Sequence, residues 1–409
     1  MKVKFYTLGC KVNQYETQAL SEEFSSWGCQ LTTGVADLYV VNTCTVTSRA
    51  DSKSREIILR AKRENPRAQI AVCGCMAQES SNIHKLDVDY VIPQKNKQFV
   101  ADAILNKPAE KKDIWSLKIS RFYNQRAFVK IQDGCDNECS FCKVPYVRGK
   151  SRSREEKEVI EEIERISLSH KEVVLCGINL GLYGKDLNPS KSLHALIDKV
   201  LATSSVGRLR LSSLEPSLAD REVFKLFYNE RLCPHLHFPF QSGDDRVLQY
   251  MNKKETVASY EEIVHDLRKI NPSIAISCDI IVGFPYEDEE SFKNTVAFLE
   301  KVRPMRTHIF TFSPRENTRF YGTKIKNYSS IRQRRSYLKK ITSEFSLEYK
   351  KNFLGKTLKV VAEEKNNGYV CGYSENYIKV YLKEIVALGQ IYPVKIVKVD
   401  KENVFGCRV

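Results

Sequence analysis

The tightest constraint on this chain is one short loop. Within residues 131–142, Cys135, Cys139 and Cys142 form a Cys-x3-Cys-x2-Cys set. Iron–sulfur clusters are ordinarily held by four Cys thiolates. Three thiolates in one loop therefore imply an iron without a protein ligand, and an open iron implies a substrate or cofactor bound there. Zinc is the rival reading. Structural zinc takes four N/S ligands, usually as two separated pairs, and no second pair or nearby His completes this set. Three unconnected structural cysteines are the plain alternative, which this spacing disfavours. The loop directly follows a strand candidate at 128–131. In βα folds, sites lie at the carboxyl ends of strands, so the triplet also dictates where a sheet must end.

The 409 residues allow two or three domains, and 13 cysteines are present. No run approaches the roughly 18 apolar residues of a membrane span, and the start has no signal-peptide h-region. A cytoplasmic protein without a membrane partner is expected. That compartment is reducing, so cluster ligation is a better default than disulfides. The net charge of +15 suggests a polyanionic partner. Residues 301–344 hold twelve Lys/Arg and two acids, and Lys143, Arg148, Lys150, Arg152 and Arg154 follow the triplet without an intervening acid. Solvated helix faces are the usual fate of such runs.

The chain reads as α/β with three parts. Residues 1–106 alternate strand candidates (3–8, 38–41, 70–73) with helical patterns (16–27 first), the mark of a parallel α/β sheet. Residues 107–120 read as a linker. Residues 121–344 repeat the alternation in six βα units, predicting a partial (β/α)6 barrel, with a basic helix near the end. In 345–409 short alternating strands, with Asn367-Gly368 as a hairpin turn, predict a small antiparallel β-barrel, a shape often used for nucleic acid. That part holds eleven Lys/Arg against seven acids. Tyr369, Tyr373, Tyr377 and Tyr381 there suit either base stacking or barrel core.

Cys10, Cys44 and Cys75 share a setting, each at or just past the carboxyl end of a predicted N-terminal strand. Three βα loops of one sheet can converge, giving a second three-thiolate set; three unrelated buried cysteines is the alternative. Cys75 is preferred over Cys73 because it lies past the strand, beside a Gly.

Taken together, these residues resemble the radical S-adenosylmethionine methylthiotransferase family. The triplet with Phe141 before its third Cys is the radical S-adenosylmethionine signature. Leu8-Gly-Cys10-Lys-Val-Asn-Gln-Tyr-Glu-Thr17, Asn42-Thr-Cys44, Gly74-Cys75-Met-Ala-Gln78, Arg148-Gly-Lys-Ser-Arg152, Ser212-Ser-Leu-Glu-Pro216, Gln241-Ser-Gly243 and Asp279-Ile-Ile-Val-Gly-Phe-Pro285 look like the methylthiotransferases. The C-terminal barrel resembles the family's TRAM domain.

The resemblance implies two [4Fe-4S] clusters and S-adenosyl-L-methionine. The Cys135/Cys139/Cys142 cluster would bind S-adenosylmethionine and generate a 5′-deoxyadenosyl radical; the Cys10/Cys44/Cys75 cluster would carry the sulfur. An adenine C2–H is not acidic, so its replacement by sulfur needs such borrowed radical chemistry. Phe141, Arg148, Gly177, Asn179, Glu215, Gln241 and Gly283 are the expected cofactor neighbours. Each has an ordinary structural reading beside the functional one. Residues 9–17 look like the bacterial tRNA branch, which implies methylthiolation of N6-threonylcarbamoyladenosine at position 37, in the anticodon loop, with an electron donor protein as a further partner. Isopentenyladenosine-37, a ribosomal protein aspartate, or a non-catalytic iron–sulfur RNA-binding protein are the alternatives.

Overall fold

The computed structural model describes residues 1–79, 83, 86–108, 111–325 and 327–409. Lys326 of the basic stretch and residues 109–110 of the expected linker lie outside them.

The first part is a five-stranded parallel sheet ordered β2-β1-β3-β4-β5. Its strands are β1 (Lys2–Thr7), β2 (Gln30–Leu31), β3 (Leu38–Thr43), β4 (Gln69–Gly74) and β5 (Tyr90–Pro93). All six residues of β3 are buried, as expected for a parallel strand covered on both faces. Helix α1 (Lys11–Ser26) follows β1, α2 (Ser48–Glu64) follows β3, and α3 (Cys75–Glu79) follows β4. The sequence pattern placed the start of α1 at residue 16. It begins five residues earlier: Val12 and Tyr15 join the core ahead of Ala19 and Leu20, while the buried polar Asn13 and Glu16 interrupt the apolar period.

The second part has six parallel strands: β6 (Arg126–Lys130), β9 (Glu172–Cys176), β10 (Arg208–Leu211), β11 (His235–Gln241), β12 (Ala275–Val282) and β13 (Arg306–Thr311). They form two triplets, β6-β9-β10 and β11-β12-β13, joined by isolated parallel bridges Leu209–Leu232 and Ser213–His237. This is the expected partial barrel. A two-strand ribbon, β7 (Gln132–Asp133) with β8 (Arg152–Ser153), brackets the cysteine loop. The expected linker is not slack: Ile114, Leu117 and Ile119 are buried, and Tyr15 donates from its hydroxyl to the Leu117 carbonyl at 2.9 Å.

The third part is a closed five-stranded barrel: β14 (Thr357–Asn366), β15 (Tyr369–Ser374), β16 (Lys379–Leu382), β17 (Ile391–Val399) and β18 (Val404–Arg408). Its pairings are antiparallel except β16–β18, which is parallel. Asn367 and Gly368 both take positive φ at the β14–β15 turn, the conformation a two-residue hairpin turn of this kind needs. The expected boundary at 344/345 falls inside one continuous helix, Tyr328–Lys351, whose Tyr349 packs on the barrel core.

Arginines hold this barrel against the amino-terminal ends of the central strands. Arg208 donates to the carbonyls of Lys359 and Tyr373, and Arg210 to those of Ser374 and Glu375. Both also bind Glu172, which is fully buried. Burial disfavours the Glu172 carboxylate, but Arg208, Arg210 and Arg126 outweigh it and bring its pKa down to about 2. Tyr373 and Tyr377 stack on each other, with Arg126 over both rings. These two therefore belong to a packed interface, whereas Tyr369 and Tyr381 lie half-buried beside Phe405.

The basic run after the triplet is also mostly structural. Arg154 is buried against Glu162, Lys143 lies 3.6 Å from Glu316, and Arg148 is buried among acids. Lys150 and Arg152 alone of the five are exposed.

Candidate iron–sulfur and cofactor site

The triplet loop is fixed from both ends. Cys135 donates its N–H to the Gly149 carbonyl at 3.1 Å and Cys142 to Cys139 at 3.0 Å. Ser140 bonds to the carbonyls of Tyr250 and Met251. Gln132, which the sequence did not single out, is wholly buried beneath the loop. Its carbonyl oxygen accepts from the N–H groups of Ile178 and Asn179, both at 2.9 Å, while its amide donates to Gly134 and Ser151. One side chain thus ties the cysteine loop to the end of β9.

The three thiols open on a cavity of about 130 Å³ lined also by Phe141, Asn179, Ser213, Glu215, Gln241 and Lys253. Four expected cofactor neighbours are therefore at the triplet. Burial pushes the Cys139 thiol up to about 12 and Cys142 to about 11. Burial thus keeps these thiols protonated when free, and ligation to a metal would have to overcome that by deprotonating them outright. Among the described residues no His lines this cavity, and its one carboxylate, Glu215, is paired with Lys253, so the donors fit a three-thiolate cluster. Glu215, buried, has its carboxyl raised to about 7, although the Lys253 ammonium in contact with it opposes this. Lys253 carries no motif in the sequence; only folding brings it to Glu215.

The remaining expected neighbours sit elsewhere. Gly177 precedes the cavity wall at Ile178, and a Cβ on it would meet Gln132. Gly283 lies under the helix Tyr328–Lys351, where a Cβ would come within 2.6 Å of Ile331. Phe141 also packs edge-on to Phe284, at 6.2 Å between centroids.

Arg148 serves the other cysteine set. It donates to Asp133 at 2.8 Å, to Asn13 Oδ1 at 2.5 Å and to Glu16 at 3.2 Å. Glu16 also receives Lys97 at 2.6 Å and Lys130 at 2.7 Å. Burial alone would raise the Glu16 carboxyl, yet Arg148, Lys130 and Lys97 hold it well below the usual range. Arg148 in turn favours the thiolates of Cys75 and Cys44.

Cys10, Cys44 and Cys75 converge at the carboxyl ends of β1, β3 and β4. Gly9 has φ +96°, and a Cβ there would press to 3.0 Å from Cys44 Sγ, so only glycine lets the first loop approach the second. Asn13 bonds the loops together, donating to Leu8 at 2.8 Å and Thr43 at 3.0 Å. Thr43 Oγ1 donates to Cys73 and accepts from the Met76 N–H at 3.2 Å, joining the second loop to the third. Cys75 is the first residue of α3, whereas Cys73 lies within β4 among core residues. Burial, then the Cys75 charge, pushes Cys44 up to about 12. Three converging thiols, with no other ligand type among them, again fit an iron–sulfur cluster with an open iron. Arg148 and Lys130 of the central barrel reach Glu16 on α1, the helix that starts beside Cys10, so this set lies against the central barrel.

Comparison with known proteins agrees with this architecture. The Radical SAM superfamily model matches residues 129–299, and a model described as uncharacterized protein family UPF0004 matches residues 2–92. The threonylcarbamoyladenosine tRNA methylthiotransferase MtaB of Thermotoga maritima is 35% identical over 99% of this chain and 96% of its own length. That of Bacillus subtilis is 34% identical over 97% and 94%. Among solved structures, the radical S-adenosylmethionine methyltransferase TsrM of Kitasatospora setae has a similar fold: TM-score 0.54, 13% identity, 76% of this chain and 74% of that one. The chain belongs to the radical S-adenosylmethionine methylthiotransferase family.

Proposed function

We propose that this protein methylthiolates tRNA, replacing C2–H of N6-threonylcarbamoyladenosine at position 37 with C2–SCH3. What carries the reading is full-length kinship to enzymes of that name in a chain that presents two three-cysteine sets to one barrel. Cys135, Cys139 and Cys142 would hold one [4Fe-4S] cluster, and Cys10, Cys44 and Cys75 the other. With S-adenosylmethionine these would supply the radical that activates C2 and the methylated sulfur delivered to it. The chain's own residues position and shield. Asn179, Glu215, Gln241 and Lys253 offer the cofactor polar contacts in a small cavity. Phe141 gives it an apolar wall. Gln132 and Asn13 keep the two cysteine loops in register with the barrel.

The tRNA backbone is met by exposed cations, for phosphate neutralisation is the sequence-independent part of such binding. Arg332, Arg335, Lys339 and Lys340 are exposed on the helix Tyr328–Lys351. Tyr369, Tyr381 and Phe405, with Lys379 and Lys398 over their rings, offer a stacking surface, as expected of a TRAM-like domain. An electron donor protein is required by the chemistry, and the tRNA substrate places the enzyme in the cytoplasm. No helix among the described residues is long and apolar enough to cross a membrane.

Mass spectrometry of tRNA nucleosides from cells lacking this protein tests the reading. 2-Methylthio-N6-threonylcarbamoyladenosine should vanish and return with an added copy. Unchanged nucleosides would refute it and direct the search to ribosomal protein.

A further inference from the structure

The barrel lumen holds polar side chains that neither cysteine set uses. Successive side chains of a strand point to opposite faces. On β11, Phe238 and Phe240 enter the helix-covered core, so His237, Pro239 and Gln241 face the lumen. Pro239 and Gln241 line the triplet cavity, and Ser213, also in its wall, bridges to His237. His237 thus lies next below the cavity. Asp279 of β12 and His308 of β13 are opposite in register. His237 Nε2 lies 3.2 Å from Asp279 Oδ2, and its Nδ1 lies 3.0 Å from Ser277 Oγ. One polar atom from each of His237, Asp279 and His308 falls within 4.8 Å of the others.

Two histidines and a carboxylate are a familiar set for a divalent cation. The surroundings oppose that here. Lys11, beside Cys10, and Arg306, on the same strand face as His308, both bear on His308. Against these two fixed cations stands the carboxylate of Asp279. Such a field favours an anion. The ligand must also offer a donor, because Asp279 can only accept. A threonylcarbamoyl group has both, a carboxylate and a hydroxyl; an isopentenyl group has neither and would leave these polar groups unpaired, a costly outcome.

We propose that Lys11, His237, Asp279 and His308 form the subsite that receives the threonyl end of the substrate's N6 group, its carboxylate against Lys11 and His308 and its hydroxyl against Asp279. This rests on the functional reading above and adds the residues that would set its specificity. Threonylcarbamoyladenosine would then be held between the two cysteine sets by its side chain.

The test uses cluster-loaded full-length protein and anticodon stem-loops carrying threonylcarbamoyladenosine or the same nucleoside with its carboxylate converted to the primary amide. Binding is read by fluorescence anisotropy and turnover by nucleoside mass spectrometry. The native protein should prefer the carboxylate loop at least about 10-fold, which is about 1.4 kcal/mol. His308→Ala and Lys11→Met should weaken the carboxylate loop more than the amide loop and bring that preference close to unity, at unchanged iron content; His308→Gln should keep part of it. A preference that survives both His308→Ala and Lys11→Met overturns the subsite. So does a stoichiometric divalent cation held by the native protein and lost in His308→Ala. A native protein that fails to modify the carboxylate loop overturns the functional reading, and the subsite with it.

Discussion

Cys135, Cys139 and Cys142 lie in one loop, whereas Cys10, Cys44 and Cys75 are brought together from the ends of three strands. The first set has its three ligands joined by the chain itself between the two strands of the β7–β8 ribbon that follows β6, with Gln132 and the carbonyls of Tyr250 and Met251 pinning the loop. The second exists only when β1, β3 and β4 stand side by side, with Asn13 and Thr43 bonding loop to loop. A local set survives perturbation of distant contacts; an assembled one inherits every weakness of its sheet. The assembled set also depends on the central domain, since Arg148 and Lys130 reach Glu16 of α1 from there.

The largest expected effects come from removing the cysteines themselves. Cys135→Ala should abolish S-adenosylmethionine cleavage and leave the spectroscopic signal of the N-terminal cluster. Cys75→Ala should do the reverse: 5′-deoxyadenosine still forms, but no methylthio product appears. Cleavage that persists in Cys135→Ala would undo the assignment of roles. Cys73→Ala serves as the control, because Cys73 lies in the sheet core; if it stops thiolation while Cys75→Ala does not, the assembled set has been given the wrong third member.

Glu16→Gln probes the dependence of the assembled set on its neighbours. The wild-type cluster of Lys97, Lys130 and Arg148 against Glu16 and Asp133 is wholly buried. Removing one carboxylate leaves three cations facing one. Breaking a buried pair in this way costs about 3–5 kcal/mol, and denaturant unfolding should show it. Iron bound at Cys10, Cys44 and Cys75 should be lost first, while cleavage by the triplet site persists. Equal loss from both sites would mean the two are not independently supported.

The same contrast explains what was readable from the chain. The triplet is legible because its ligands are neighbours in sequence, so spacing alone carries geometry. The three-part order of the fold is legible from the strand–helix alternation. Arg148 misled because its destination is set by Glu16, 132 residues away, and a run of basic residues does not reveal which will meet a buried acid. Lys253 was silent for the same reason, as its partner Glu215 is 38 residues distant. Tyr373 and Tyr377 suit either base stacking or barrel core by sequence; Arg126 and Arg210, from another part of the fold, hold them in a packed interface. Local chemistry shows in sequence, whereas pairing of buried charge shows only once the sheets are in place.

A third buried charge cluster, at the opposite end of the barrel, separates support of the fold from support of the sites. Glu172 binds Arg208 and Arg210 where the C-terminal barrel docks, far along the strands from either cysteine set. Its pKa is about 2 in the folded protein, against about 4.3 in an unfolded chain. A depressed carboxyl pKa stabilises the folded state above the unfolded value and ceases to do so as pH falls through the folded one. The pH-dependent part is therefore full above about pH 5 and gone near pH 2, and the shift corresponds to about 3 kcal/mol. Glu172→Gln should abolish that part of the acid sensitivity, so that the stability gap between the two proteins narrows from pH 5 downward. Both clusters should keep their spectra at neutral pH in the variant. A gap that stays constant with pH would mean that Glu172 is not held ionised by its arginines. Loss of the N-terminal cluster in this variant would mean that the assembled set draws support from the entire barrel, and the distinction between a local site and an assembled one would have to be redrawn around all three domains.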